Sequence, residues 1–432
     1  MSKPAEAAPA RPRADAVAAD DDRSTPEQRR AFWAVFLGWV VDSFDFNILA
    51  FILIDIQQSF TVDRALAGAL GTVTLLMRLI GGTVAGTAAD RWGRKLPLML
   101  SLLWFSLFAF LSGFSSSYAM LFGLRALFGL GMGGEWAAGM ALVFEHWPAR
   151  RRGLISGLML GGWYWGYLLA AAAFHFVYPL FDGHPDLGWR AMMWLAIVPA
   201  LFTLWIRRNV SESPVWLEQQ RQLREASEAG IPTPRRFSLY RIFQRDLILT
   251  TLQTTLVIGS FMCIYYSVNF WYPTVLRDAG RPVLPYLAAF NIGAIAGTAT
   301  WGLLSEGRLG RRGAATVTMV LGIASLPLYL HASDPFLLGC GALCMGFFGM
   351  GIWGMAPAYS NERFPTEARA VGAGFCYHAA AAFGALMPYL LGTLQDRGFA
   401  LVDAMSAAMV ISGLAAMVIW LGPETRGRDM TR

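Results

Sequence analysis

The chain alternates long apolar stretches with short charged ones. Twelve apolar stretches stand out, near residues 31–56, 65–88, 96–114, 118–145, 153–178, 189–206, 246–272, 283–305, 313–331, 335–361, 366–394 and 400–421. About 20 apolar residues cross the hydrocarbon core of a bilayer as a helix, whose backbone groups satisfy one another there. The pattern therefore predicts an all-α polytopic membrane protein with twelve transmembrane helices. A charged segment, 207–245, divides the spans six and six. The expected organisation is a disordered cytoplasmic tail over 1–30, a six-helix bundle over 31–206, a cytoplasmic linker over 207–245, a second six-helix bundle over 246–421 and a cytoplasmic tail over 422–432. The linker carries Ile231-Pro-Thr-Pro234 in its middle, flanked by some surface helix.

The halves repeat. Glu145-His-Trp-Pro148, with Arg152 and Gly157, recurs as Glu362-Arg-Phe-Pro365, with Arg369 and Gly374, at a constant offset of 217. Gly86-Thr-Ala-Ala-Asp90-Arg-Trp-Gly93-Arg94-Lys95 recurs as Gly302-Leu-Leu-Ser-Glu306-Gly-Arg-Leu-Gly310-Arg311-Arg312, with one extra residue before the second glycine. Two pseudo-symmetric six-helix halves with a parallel repeat describe a known transporter architecture.

Composition agrees with a membrane protein: 55% of the 432 residues are hydrophobic and 15% charged, and the mean hydropathy is +0.44. The four cysteines, Cys263, Cys340, Cys344 and Cys376, lie within apolar segments and read as packing residues, without metal-ligand or disulfide spacing. Met1–Arg30 lacks the apolar core of a cleavable signal peptide. The net charge of +6 raises the question of a nucleic-acid partner, and the distribution of the charge answers it. All but seven of the 35 basic residues fall on the side that holds both termini; Arg64, Arg190, Arg277, Arg281 and Arg397 fall on the other, and Arg78 and Arg125 lie within spans. By the positive-inside rule both termini are cytoplasmic, the basic surplus is topogenic and no nucleic acid is expected.

The charges inside the spans are the candidate chemistry, because a charge at bilayer depth costs roughly 2.5 to 3.5 kcal/mol even on the lenient insertion scale. Asp42 and Asp45 stand three apart on one face of the first span. At about 1.5 Å per residue, Asp45 and Arg125 each lie roughly 10 Å from the outer face, while Asp42, Arg78 and Glu135 share a level near mid-membrane. Asp45 with Arg125 is expected to pair, with Arg125 freed for a substrate carboxylate when Asp45 is protonated, or else to be a permanent structural ion pair. Asp42 and Glu135 complete the proton-coupling set, although the glycines around Glu135 (Gly129, Gly131, Gly133, Gly134) also serve close helix packing. Arg78 has no acid near it in sequence and is the first choice as ligand of an anionic substrate, or a partner of Asp42 or Glu135.

The second half holds no arginine or lysine at membrane depth. It offers Gln253, Asn269, Asn291, Tyr377 and His378, of which Asn291, Tyr377 and His378 are candidate substrate contacts; His378 also suits a proton carrier or a packed structural role. In the fifth span Trp163, Tyr164, Trp165 and Tyr167 reach similar depth, with Trp163 and Tyr164 the candidate aromatic lining and packing the role of the others. At the cytoplasmic end Asp90 can face the positive N-terminus of the eleventh span, near Thr366. Arg91, Arg94 and Lys95 can pair with Glu145, and Glu306, Arg311, Arg312 and Glu362 can repeat the arrangement. Such pairs would latch the halves together on the inside.

The sequence resembles the major facilitator superfamily over nearly its whole length. GTAADRWGRK at 86–95 is similar to that family's loop after its second span, and RALFGLGMGG at 125–134 to its fourth-span signature. GWVVDSFDF at 38–46, GMGGEWAAGMALVFEHWP at 131–148 and GWRAMMWLAIVPAL at 188–201 look like the sialate:proton symporters and their carboxylate-transporting relatives. NVSESPVWL at 209–217 resembles the segment after the sixth span in sugar porters. The resemblance implies proton-coupled transport by alternating access, with the proton-sensitive pair at Asp45 and Arg125, and implies that a monomer suffices.

GLISGLMLGGWYWGYLLAA at 153–171 lacks the Gly-Pro motif of drug:proton antiporters, which disfavours efflux by antiport. No nucleophile-base pair, metal-ligand cluster or nucleotide loop accompanies a soluble domain, which disfavours an enzyme. The expectation is a symporter importing a small organic anion, a monocarboxylate such as lactate or pyruvate, or sialate. It would need no cofactor beyond the proton gradient. The alternatives are a neutral sugar or polyol, an aromatic acid, and a membrane sensor that no longer transports. Arginine far outnumbers lysine and alanine is abundant, pointing to a GC-rich bacterium and its inner membrane.

Overall fold

A computed structural model describes residues 24–62, 64–181, 183–197, 205, 208–229 and 238–428. Most of the expected tail, and Ile231–Pro234 of the linker, lie outside these residues. The part of the tail that is described differs from expectation. The first helix begins at Pro26, five residues before the apolar run, because Thr25 caps it: the Gln28 N–H donates to the Thr25 hydroxyl and the Thr25 N–H donates to the Gln28 side chain.

Among the described residues, ten helical segments are long and apolar enough to cross a membrane. They include Pro26–Leu53, Leu66–Trp92, Lys95–Ser112, Tyr118–His146, Ala149–Phe181, Ile248–Leu276, Val283–Leu304, Pro335–Glu362, Thr366–Gln395 and Leu401–Leu421. Of the sixth expected stretch the structure describes helix Pro185–Trp194 and the short turn Leu195–Ile197. The ninth is divided at Ser325 into Gly310–Ala324 and Leu326–Leu330. In the linker, Pro214–Glu228 is a helix capped by Ser213. Large apolar side chains such as Leu249, Phe336, Tyr389 and Leu421 are exposed by 74% or more, a surface that is stable against lipid and not against water.

Glycine sets how closely the spans approach. A Cβ built on Gly81, Gly129 or Gly133 would fall within 2.3 Å of backbone in the partner span, so only glycine lets spans two and four touch. Across the halves, Gly157 packs on Thr298 and Gly302 on Gly153, joining spans five and eight. Gly86 on Val371 and Gly374 on Ala137 bring span eleven against spans two and four. The fourth and tenth spans each contain a π-helical turn, Glu135–Gly139 and Met345–Gly349. Such turns re-aim side chains away from the α-helical register.

Candidate functional site

Where the halves meet near mid-membrane, side chains from both line a partly open cavity. The first half lines it with Trp39, Phe46, Arg78, Trp163 and Tyr164, and the second with Tyr265, Tyr266, Trp353 and Tyr377. Arg78 is its charged member. The guanidinium Nη2 donates to Asp42 Oδ2 at 3.1 Å, and both side chains are buried. Its carbon lies 5.5 Å from the Trp39 ring, 5.5 Å from Tyr377 and 5.9 Å from Trp163, so three aromatic faces surround it. Trp136 stacks on Tyr377 at 3.6 Å, and the Trp163 indole N–H donates to the Tyr265 hydroxyl at 3.3 Å across the halves.

Of the two partners offered to Arg78 by depth, the structure selects Asp42. Glu135 lies within electrostatic reach of both Asp42 and Arg78, but both its carboxylate oxygens are buried with no hydrogen-bond partner among the described residues. The expected Asp45–Arg125 bond is not formed. The two groups interact electrostatically and are fully buried, yet neither carboxylate nor guanidinium has a hydrogen-bond partner among the described residues. Arg125 instead lies over the Phe128 ring at 4.1 Å. Equal depth fixed their level and not the direction in which each side chain leaves its helix.

The structure brings Arg78, Trp163, Tyr164 and Tyr377 to the cavity and leaves three other proposed ligands off its wall. Arg125 is one. Asn291 donates to Leu287 O of its own helix at 2.8 Å. His378 points between spans two and four, its Nε2 2.9 Å from Gly133 O, and a Cβ on Gly82 would sit 2.1 Å from its ring. Gln253 bonds to Tyr359 and to Val418 O, and Trp165 is 49% exposed and faces outward. Sequence reasoning missed Trp39, Phe46, Tyr265, Tyr266 and Trp353. The adjacency of Trp39 to the Asp42 turn, and the Tyr265-Tyr266 pair, were the available signals.

At the end bearing the basic loops the halves are bonded together. Asp90 accepts from the N–H groups of Ala370 and Val371 at 3.1 and 3.0 Å, at the start of the eleventh span, as its position predicted. Arg94 joins Asp90 at 2.7 Å to Glu145, which it holds through Nε and Nη2 at 3.1 and 3.0 Å. Glu145 also receives Arg369 from the other half at 2.7 Å and the Ser213 hydroxyl. These opposed charges hold Arg94, which lies between spans, above the ordinary guanidinium range despite its burial. Gly93, at φ +97°, makes the left-handed turn that returns Arg94 into this cluster; a Cβ there would also strike Glu212.

The expected partners of Glu145 thus reduce to one from that loop. Arg91 lies against the Trp92 ring at 5.5 Å, and Lys95 donates its backbone N–H to Glu212 at 3.2 Å. In the second half Arg311 holds Glu306 at 2.9 Å and Glu362 at 3.0 Å, and Glu306 accepts the Gly153 N–H across the halves. Arg312 departs from expectation by turning to the C-terminal segment. It donates to Gly422 O at 3.0 Å and lies over Trp420. Gly310, at φ +66°, repeats the role of Gly93.

Over residues 35–388 the sequence matches the pattern of the Major Facilitator Superfamily. It is 34% identical to a probable 4-methylmuconolactone transporter of Cupriavidus pinatubonensis, covering 93% of this chain and 92% of the relative. It is 28% identical to the sialic acid transporter NanX of Escherichia coli, covering 84% of this chain and 87% of that one. Among solved structures, the proton:xylose symporter XylE bound to 6-bromo-6-deoxy-D-glucose superposes with a TM-score of 0.76 at 18% identity, covering 94% of this chain and 98% of that one. That likeness is one of fold.

Proposed function

The chain belongs to the major facilitator superfamily and is a multi-pass membrane transporter, and from that premise we propose that it imports a small organic acid together with a proton. The carrying observation is Arg78, a buried guanidinium with three aromatic faces around it on the wall of a cavity shared by both halves. A substrate carboxylate takes Arg78 and displaces Asp42. Among the described residues Asp42 has no other hydrogen-bond partner, so once displaced it is a buried carboxylate without a donor and takes up a proton. The negative charge of the substrate and the positive charge of the proton then cross together. Asp45 and Arg125 stand one turn further out as the entry of that path.

The aromatic lining favours a ring-bearing monocarboxylate over lactate or pyruvate. The 4-methylmuconolactone and sialic acid in the names of two relatives are both ring compounds with a carboxyl group. Both termini are cytoplasmic in this reading, and the bundles 31–206 and 246–421 rock about the cavity as a monomer in a bacterial inner membrane. The bonds of Asp90, Arg94, Glu145, Arg369 and Glu306 close the cytoplasmic side. The test is uptake of labelled sialate, 4-hydroxybenzoate and lactate into proteoliposomes, corrected for protein-free liposomes, with and without an inward proton gradient. Accumulation of one acid that is driven by the gradient and uninhibited by the corresponding amide supports the reading. Failure of every acid, with uptake of a neutral sugar, overturns it.

A further inference from the structure

We infer that Glu135 is the inner station of the proton path, one helical turn below Asp42, and that Gly38 positions it there. The inference rests on the reading of Arg78 and Asp42 given above and adds the route by which the proton leaves.

Gly38 and Asp42 are four residues apart on the first span and so share a face, about 6 Å apart along the axis, with Gly38 nearer the basic end. The Glu135 carboxylate rests on Gly38: a Cβ built there would stand 2.5 Å from Oε1, 2.9 Å from the carboxyl carbon and 3.1 Å from Oε2. A larger residue there would push that carboxylate away from span one. Glu135 opens the π-helical turn of span four, which aims its side chain across to span one. Its carboxylate therefore lies between the Asp42–Arg78 pair and the closed cytoplasmic gate.

The surroundings leave this acid free to exchange a proton. The charged groups within its electrostatic reach are Asp42 from span one and Arg78 from span two. From span eleven come Tyr377, stacked on the neighbouring Trp136, and His378, bonded to Gly133 O. Arg78 bonds to Asp42, and both Glu135 oxygens lack a donor. Two carboxyl groups thus lie within electrostatic reach of one guanidinium, which bonds to Asp42 alone of the two. When substrate occupies Arg78, both buried carboxyl groups are left without a cationic partner, and one proton held between them relieves the cost. A proton received by Asp42 passes to Glu135: the O–H bond at Asp42 breaks, one forms at Glu135, and the charge of the pair is unchanged. When the cytoplasmic gate opens, Glu135 is the member nearest the opening and releases the proton there.

The experiment separates exchange from accumulation. Reconstituted wild type, Glu135→Gln and Gly38→Ala are assayed for equilibrium exchange of the labelled acid at equal pH and for accumulation under an inward proton gradient, with sialate, 4-hydroxybenzoate and lactate as probes. Both variants are expected to retain exchange and to lose gradient-driven accumulation. Glu135→Asp, which keeps the acid, should recover part of it. Accumulation at the wild-type level in Glu135→Gln overturns the inference, as does a parallel fall in exchange and accumulation, which would mark a structural role. If Gly38→Ala does not assemble, Glu135→Gln decides. Wild type that neither exchanges nor accumulates any probe contradicts the function proposed above, and not this route.

Discussion

Removing Arg369 should open the cytoplasmic gate without unfolding either half. Arg369 belongs to the second half and donates to Glu145 of the first at 2.7 Å, with both side chains buried. Glu145 does not become a stranded charge when Arg369 is cut to alanine, because Arg94 holds both its oxygens and the Ser213 hydroxyl remains. The loss includes the charge-assisted bond to Glu145 across the interface, which contributes about 1.5 to 3 kcal/mol. That energy is lost by the closed state alone, since Arg369 is hydrated once the halves part. The closed-to-open ratio should fall by about 10- to 150-fold. A reporter lies in the same interface: the Ser156 hydroxyl accepts from the Ala358 N–H at 3.2 Å across the halves and is fully buried. With the four native cysteines replaced, Ser156→Cys reports opening through its rate of reaction with a maleimide. The rate should rise by about the same factor in Arg369→Ala. An unchanged rate in a variant that purifies as a monodisperse protein would refute the gate.

Trp163→Leu removes one of the aromatic faces around Arg78 and the bond to Tyr265, so binding of a ring acid should weaken by about 1 to 2 kcal/mol while lactate is little affected; equal losses for both would contradict an aromatic clamp. Burial raises the Glu306 carboxyl above its ordinary value, against the pull of Arg311 and the Gly153 N–H. The closed state therefore binds a proton there that an opened, hydrated Glu306 gives up. The resulting support for closure is present at low pH and is lost as pH rises through the raised value. Glu306→Gln should flatten that part of the pH dependence of Ser156→Cys labelling, and an identical pH profile would refute it.

Much of the fold was legible because the bilayer imposes it. Spans must be long, apolar and helical, so the apolar run lengths announce helices that cross a membrane, and the repeat of Glu145 at Glu362 announces the two halves. The bonds that join the halves at the end bearing the basic loops were readable for a related reason. Asp90 ends a helix where the N-terminus of another must lie, and its carboxylate receives Ala370 and Val371 there. Helix rise supplied depth for the inner charges but not azimuth. It put Arg78, Asp42 and Glu135 on one level and could not choose between the acids. It put Asp45 level with Arg125 although their side chains do not bond, and His378 at cavity depth although it points at Gly133. Trp39 and Trp353 line the cavity, while Trp165 faces outward. Within an apolar span an aromatic residue looks the same whether it faces ligand, protein or lipid.

The central claim is that a substrate carboxylate binds Arg78, and the most direct measurement is calorimetric binding of the transported acid to wild type and to Arg78→Gln. Truncating one partner of a buried charged pair costs about 2 to 5 kcal/mol, so affinity should fall by at least about 30-fold, with Arg78→Lys recovering part of it. The same affinity in Arg78→Gln as in wild type, with both proteins equally stable, would contradict the account.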